Sequence, residues 1–451
     1  MAKPREQWGS RAGFIMAAAG SAVGLGNIWK YPHMAGQHGG GAFTVVYLIC
    51  ILFVGLPILM AEISIGRRTQ LNPVGAFKAL SNNSSWKFVG LLGVASAFTI
   101  LSFYSVVGGW TLKYTMLALT GAFNDFAVDD SAAQAFNAFV TNPISPVLWH
   151  LVFMGLCVLI INQGVKAGIE RWSKILMPVL LGILLLLVVR GVTLEGAGEG
   201  LRFLFWPKWG DLDASAVVLA LGHSFFTISL GMGTMITYGS YLSRDSDILQ
   251  SALWIIFIDT AIALLAGVAI FTAVFALGQN PAEGPGLIFV VLPSLFPHMP
   301  GGAIFAVMFF GLLFVAALTS AISILEVVTA YFIDEKGWSR SKATYTFGGV
   351  IAFIGVLASL SNGSFNLLAP FTELTFMDLL DKVSSKYMLP LGGMLTAFFV
   401  LLRWGIVRFT EEIKAGARWF EVNRWTVTTI FTIAGTVVAY IFVRELIALF
   451  G

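Results

Sequence analysis

Residues Gly20 to Asn27, Gly-Ser-Ala-Val-Gly-Leu-Gly-Asn, interrupt a stretch that otherwise has the character of a membrane-spanning helix. Three glycines in eight positions weaken a helix, each costing about 1 kcal/mol relative to alanine. In hydrocarbon a broken helix leaves amides and carbonyls unpaired, which is tolerated only where the break is buried in protein or faces a wet cavity. At mid-membrane depth such a break is where freed amides meet an anion and freed carbonyls meet a cation.

Composition places the whole chain in the same environment. It is 57% hydrophobic and 11% charged, with a mean hydropathy of +0.84. Soluble domains carry about 25% charged residues, so an ordinary cytosolic enzyme is excluded. The 451 residues suffice for about eleven spans of roughly 20 to 25 residues each. A net charge of +3 with no basic stripe gives no reason to expect nucleic acid. No His/Cys metal cluster, phosphate loop or nucleophile triad is present, so no catalysis and no organic cofactor are expected. Cys50 and Cys157 lie in apolar runs and read as small buried hydrophobes rather than a disulfide. The charged segment Met1 to Arg11 leads into a long span with no small-residue cleavage site, so helix 1 itself is expected to be the insertion signal.

Apolar periodicity predicts eleven helices in one transmembrane domain covering 1–451. The first five fall at about 11–35, 42–66, 88–120, 147–162 and 169–189. The next five fall at about 214–241, 248–277, 301–333, 341–360 and 376–402, and helix 11 at about 425–448. Most of the 27 Lys and Arg residues, among them Lys3, Arg5, Arg11, Arg67, Arg68, Lys166, Arg340 and Arg418, then share one side. The bias puts the N-terminus in the cytoplasm and the C-terminus outside a cell (inner) membrane. The 123–146 loop, with Asp125, Asp129 and Asp130, is acidic as an outer loop would be. A second interruption, Ser229-Leu230-Gly231-Met232-Gly233, opens the second set of five helices as the first opens the first set. Two broken spans in corresponding positions indicate an inverted repeat, 11–189 against 214–402, with the binding site between them.

Several separate segments carry a family resemblance. They are Glu6-Gln7-Trp8-Gly9-Ser10-Arg11, the Gly20–Asn27 break, Trp29-Lys30-Tyr31-Pro32 and Gly39-Gly40-Gly41-Ala42-Phe43. To these are added Glu62 with Gly66-Arg67, Phe225 to Gly231, and Leu318-Thr319-Ser320. Together they resemble the neurotransmitter:sodium symporter family, most closely its bacterial amino-acid branch with eleven helices. The resemblance implies an all-α polytopic LeuT-type fold, a 5+5 inverted repeat with unwound helices 1 and 6, plus helix 11. It also implies a sodium-coupled symporter with two sodium ions and an amino-acid substrate.

Carried over by position, the substrate carboxylate would meet the freed amides near Gly24, Leu25 and Gly26, beside Ala22, and the hydroxyl of Tyr104. A tyrosine in a span is otherwise usually a packing residue. Where amine carriers of this family place an aspartate, this chain has Gly24, so the substrate is expected to bring its own carboxylate. The side-chain pocket would be lined by Ile100, Phe226, Ser229, Met232, Ala321 and Ile324, with Thr227 and Ser320 beside it. No charge is present to pair a charged side chain, and burying one unpaired costs several kcal/mol. Neutral, mainly hydrophobic amino acids are therefore expected, although the same six residues also read as plain core.

The resemblance implies a first sodium site at Ala22, Asn27, Thr227 and Asp259. The second would use the carbonyls of Gly20, Val23 and Ala316 with the hydroxyls of Thr319 and Ser320. A Ser/Thr pair in a span is otherwise commonly a back-bonded helix filler. Asp259 replaces the family's frequent asparagine and would supply the negative charge that chloride provides elsewhere, so chloride-independent transport is expected. The alternative is a protonated structural aspartate. Lys30 and Asp381 would form the outer gate, with Phe226, Tyr104 and Phe289 as lids and Asp378 a competing partner. Arg5 and Asp334, with Trp8, Ser240 and Tyr241, would form the inner gate. Glu62 is expected to hold the unwound helix 1, His223 to be a hydrogen-bonded wall residue, and Glu326 has no assigned role. A proton-coupled carrier of the same fold and a binding-only amino-acid sensor are the alternatives. Oligomeric state is not legible.

Overall fold

The computed structural model describes residues 5–81, 84–127, 131–276, 278, 287–298, 300–363, 365–366, 368, 372–417 and 423–450. Lys3, Asp129, Asp130 and Arg418 lie outside the described residues. Among those described, nine helices are long and apolar enough to cross a membrane: Gly41–Thr69, Lys87–Leu119, Ser145–Asn162, Val165–Val192, Ile248–Ala276, Gly302–Lys336, Arg340–Leu360, Phe376–Trp404 and Arg424–Ile447. They are helices 2 to 5 and 7 to 11. Helix 1 is a pair, Arg11–Ala22 and Gly26–Gln37, bent by 46°. Helix 6 is split more severely, into Ala214–Thr227 and Thr234–Gly239.

Each break has a local cause. Ser10 caps helix 1 by accepting the Gly13 amide at 3.0 Å, and the half-helix ends where Val23 takes a ψ of 97°. The chain re-enters through a π-helical turn, Gly26–Lys30, a form often found at functional positions. In helix 6 the φ angles of Ser229, Gly231 and Gly233 are +55°, +78° and +75°. Gly231 is required twice over: its φ is left-handed, and a Cβ there would stand 2.3 Å from the Leu389 carbonyl oxygen of helix 10.

The nine long helices fall within a few residues of their expected ranges, helix 5 beginning at Val165 through a π-helical turn. Five short helices among the described residues were not expected: Pro73–Leu80, Ser131–Val140, Ala197–Phe205, Ile288–His298 and Ile406–Lys414. They are too short to span and lie between spans, where a search for long apolar runs does not see them. Helix 3 is surrounded, with twenty of its residues buried from Val89 to Ala118, and it packs along helix 8. The two broken helices sit against this interior, with Gly13 to Ala22 and Ala216 to Thr227 contributing buried residues.

Candidate functional site

Side chains from helices 3, 6 and 8 gather at the helix 1 break. Gly24 donates its N–H to Asn27 Oδ1 at 3.1 Å, and Leu25 donates to Tyr104 Oη at 3.2 Å. Gly24 leaves no space for a side chain. A Cβ there would lie 2.4 Å from Ser320 Oγ and 2.8 Å from Tyr104 Oη. Phe226 lies across Gly26, its ring 3.3 Å from where a Cβ would stand. Ile100, Met232, Ala321 and Ile324 are buried in one continuous apolar cluster with Leu25. Ser229 differs from them: its hydroxyl donates to the Ser21 carbonyl at 2.9 Å, toward helix 1.

Asn27, Thr227 and Asp259 come together beside this break. The Asn27 amide donates to Asp259 Oδ1 at 2.8 Å and to its carbonyl at 3.0 Å, and the Thr227 hydroxyl donates to Oδ1 at 3.2 Å. Asp259 is fully buried, and its Oδ2 has no hydrogen-bond partner among the described residues. The buried Tyr47 hydroxyl faces Asp259 and Thr227. Ala22 ends the first half-helix, so its carbonyl lacks an intrahelical partner. An unpartnered buried carboxylate oxygen among amide, hydroxyl and carbonyl oxygens is a hard donor set, suited to an alkali cation.

A second oxygen cluster lies between the break and helix 8. Ser320 Oγ is 3.4, 3.0 and 3.4 Å from the carbonyl oxygens of Gly20, Ser21 and Val23. Thr319 packs on Gly20, while its hydroxyl donates back to Val315 and Ala316 at 3.1 and 3.0 Å. Ser320 thus reaches across to helix 1, and Thr319 keeps the back-bonded geometry of its own helix.

Above the site, Lys30 Nζ is 2.7 Å from Asp381 Oδ1 and 4.1 Å from the centre of the Phe226 ring. Asp378 is instead bound to Thr375 in a capping box that starts helix 10. Phe289 stacks on Phe136 and meets Trp110, Tyr114 and Trp29 edge-on. Below the site, Arg5 pairs with Asp334, donates to Ser240 Oγ at 2.7 Å and lies over the Tyr241 ring. Burial opposes the Arg5 charge, but Tyr241 and Asp334 outweigh it and hold the guanidinium above its usual range. Trp8 donates to the Tyr238 carbonyl at 2.9 Å and packs on Tyr238 and Tyr241. Both ion pairs are made at once.

Two expectations are corrected by the fold. Glu62 holds helix 6, not helix 1: its Oε1 accepts the Gly231 amide at 2.8 Å, because the turn at Gly231 brings that amide over helix 2. His223 is no hydrogen-bonded wall residue. It is buried against the rings of Tyr31 and Tyr47, and neither ring nitrogen has a partner among the described residues.

Sequence reading missed two ion-pair centres. Glu326 accepts from Arg340 at 2.7 and 3.0 Å and from the Tyr241 hydroxyl at 2.6 Å, and Arg340 also reaches Glu6 at 3.3 Å. A carboxylate deep in helix 8 was the available signal, since it demands a buried cation. Arg67, fully buried, binds Glu412 Oε1 at 2.8 Å, the Ala415 carbonyl at 2.9 Å and the carbonyls of Ser246 and Glu412. In the sequence it is one more cytoplasmic charge, because the Ile406–Lys414 helix that receives it leaves no long apolar run.

Comparison with known proteins agrees with this geometry. The model of the sodium:neurotransmitter symporter family matches residues 5–141 and 133–450. An uncharacterized sodium-dependent transporter of Bacillus subtilis is 40% identical over 429 residues, covering 93% of this chain and 95% of its own. One from Haemophilus influenzae is 34% identical over 88% of this chain and 89% of its own. The crystal structure of MhsT in complex with L-phenylalanine superposes with a TM-score of 0.90 at 44% identity, over 98% of this chain and 99% of that one. This chain is therefore a member of the sodium:neurotransmitter symporter family, a multi-pass sodium-dependent transporter with the LeuT-type fold and not an enzyme.

Proposed function

We propose that the protein is a chloride-independent symporter that couples two sodium ions to the entry of neutral, mainly hydrophobic L-amino acids across the cell (inner) membrane. The observation that carries this reading is the convergence at Gly24 and Leu25. The Leu25 N–H meets the Tyr104 hydroxyl and the Gly24 N–H meets Asn27, beside a Gly24 that carries no side chain, and the Asn27 amide in turn binds the Asp259 carboxylate. A substrate carboxylate held there meets a half-helix N-terminus, whose dipole favours an anion. It also completes the first cation set, so sodium and substrate strengthen each other's binding reciprocally. The resemblance to a transporter crystallised with L-phenylalanine supports an apolar amino acid.

Asp259 supplies the fixed negative charge beside the first sodium, which removes the need for a chloride ion. Gly20, Val23, Ala316, Thr319 and Ser320 hold the second sodium between helix 1 and helix 8. In the transport cycle both ions bind from the side where sodium is high, and the substrate draws Phe226 and the Lys30–Asp381 pair shut. Loss of the second sodium inward then frees helix 1, and the Arg5–Asp334 closure opens. Each step requires a ligand that binds one state better than the other. The N-terminus faces the cytoplasm in this reading, which places the Arg5 closure inside.

The test is uptake of labelled leucine, tryptophan, alanine and proline into proteoliposomes of the pure protein. An inward sodium gradient is compared with potassium, and chloride with gluconate. Accumulation that needs sodium and ignores chloride is expected. Sodium-dependent binding without uptake would make it a sensor, and uptake driven by a pH gradient alone would make the proton the coupling ion.

A further inference from the structure

Ser21 and Ser323 belong to neither ion set nor to the pocket lining, yet they link the pocket lining to the second oxygen cluster. With Ser229 they form a buried hydroxyl trio, 2%, 0% and 3% exposed respectively. The Ser229 hydroxyl donates to the Ser21 carbonyl at 2.9 Å, and the Ser323 hydroxyl to the Ser320 carbonyl at 2.7 Å. Their protons are thereby committed. The Ser21 hydroxyl, with one proton to give, lies 3.1 Å from Ser229 Oγ and 2.7 Å from Ser323 Oγ. One acceptor is on the unwound helix 6, the other on helix 8. The Ser21 carbonyl also receives Ser320 Oγ at 3.0 Å, so the same residue abuts the second oxygen cluster.

Ser229 sits at a φ of +55°, a conformation that a non-glycine residue keeps only while its surroundings hold it. It lies between the pocket residues Phe226 and Met232. A substrate side chain that presses on this strained turn shifts Ser229. The shift changes the bond that Ser229 makes to the Ser21 carbonyl and the choice open to the Ser21 proton. We propose, on the basis of the function above, that Ser21 is a positioning residue through which occupancy of the amino-acid pocket sets sodium affinity at the second site. A trio that merely satisfied buried polar atoms would support stability and leave that coupling untouched.

The experiment is equilibrium binding of the best-bound labelled amino acid to the purified full chain at graded sodium, for wild type, Ser21→Ala, Ser21→Thr and Ser323→Ala. Removing the hydroxyl in Ser21→Ala is expected to raise the half-saturating sodium concentration about three- to tenfold, the worth of one buried hydroxyl bond. It is also expected to flatten the dependence of that concentration on amino acid, because linkage is reciprocal. Ser21→Thr, which keeps the hydroxyl, restores the dependence. Ser323→Ala, which removes one of the two acceptors, gives the same readout if Ser21→Ala fails to fold. Variants that melt earlier but keep the wild-type dependence of sodium half-saturation on amino acid would overturn the proposal. A wild type that binds no amino acid in sodium would overturn the substrate reading and this proposal with it. The two failures are distinct, because in the first the wild type still binds.

Discussion

The Asn27 side-chain amide donates to both the carboxylate and the backbone carbonyl of Asp259, at 2.8 and 3.0 Å. It thereby joins the break in helix 1 to the middle of helix 7. One oxygen of that carboxylate is bonded by Asn27 and Thr227, while the other is buried and unpartnered among the described residues. Asp259→Asn would keep the shape and remove the charge. Its half-saturating sodium concentration should rise about tenfold or more, the scale of a hydrogen bond to a charged group. Chloride-free uptake should be lost or become chloride-dependent. Unchanged uptake in gluconate would show that Asp259 is not the fixed anion.

Gly24 is limited by its neighbours and not by its backbone. Gly24→Ala would press a methyl into Ser320 Oγ and Tyr104 Oη, at 2.4 and 2.8 Å. Overpacking of this kind costs about 1 to 3 kcal/mol. Amino-acid affinity should fall about tenfold or more by scintillation proximity, with a smaller change in melting temperature. A variant that binds as tightly as wild type would move the carboxylate site elsewhere.

Arg340 and Glu326 are unequal partners: the arginine side chain is 16% exposed and the glutamate 0%. Removing the cation leaves a buried carboxylate uncompensated, which typically costs about 3 to 5 kcal/mol. Arg340→Ala should therefore melt far below wild type in a thiol-dye assay, which the buried Cys50 and Cys157 permit. Arg340→Ala combined with Glu326→Gln should recover part of the loss. Equal melting of the single and double variants would mean the pair is not coupled.

The two ion pairs proposed as closures differ in shielding. In the outer pair the side chains of Lys30 and Asp381 are 14% and 38% exposed, against 15% and 13% for Arg5 and Asp334. Water screens the outer pair more, so its contribution belongs near the exposed range of about 0 to 1 kcal/mol. Lys30→Ala should shift the occluded population at most about fivefold, read as labelling of a cysteine placed in the outer vestibule. Arg5→Ala should shift inner labelling more. The reverse order would contradict the burial argument.

The sequence showed the spans because a membrane imposes one rule, long apolar runs, on every one of them. It showed the breaks because clustered glycines weaken a helix where hydrocarbon otherwise enforces one. It left open whether Asp378 or Asp381 faces Lys30, since a residue count cannot tell a helix cap from a helix face. Thr375 decides it by capping the helix with Asp378. The sequence misplaces the partner of Glu62 for a similar reason: two unwound segments compete for one carboxylate, and sequence distance does not rank them.

The chain by itself determined its environment, its long apolar runs, its two interruptions and the residue types gathered at them. These are local properties, fixed by hydropathy and backbone freedom. Tertiary structure alone decided which buried charges and hydroxyls meet: Glu326 with Arg340, Arg67 with Glu412, and Ser21 between Ser229 and Ser323. Those partners lie on different helices, far apart in sequence. Their pairing depends on how the helices pack and turn, because a buried polar group must find its partner inside the protein.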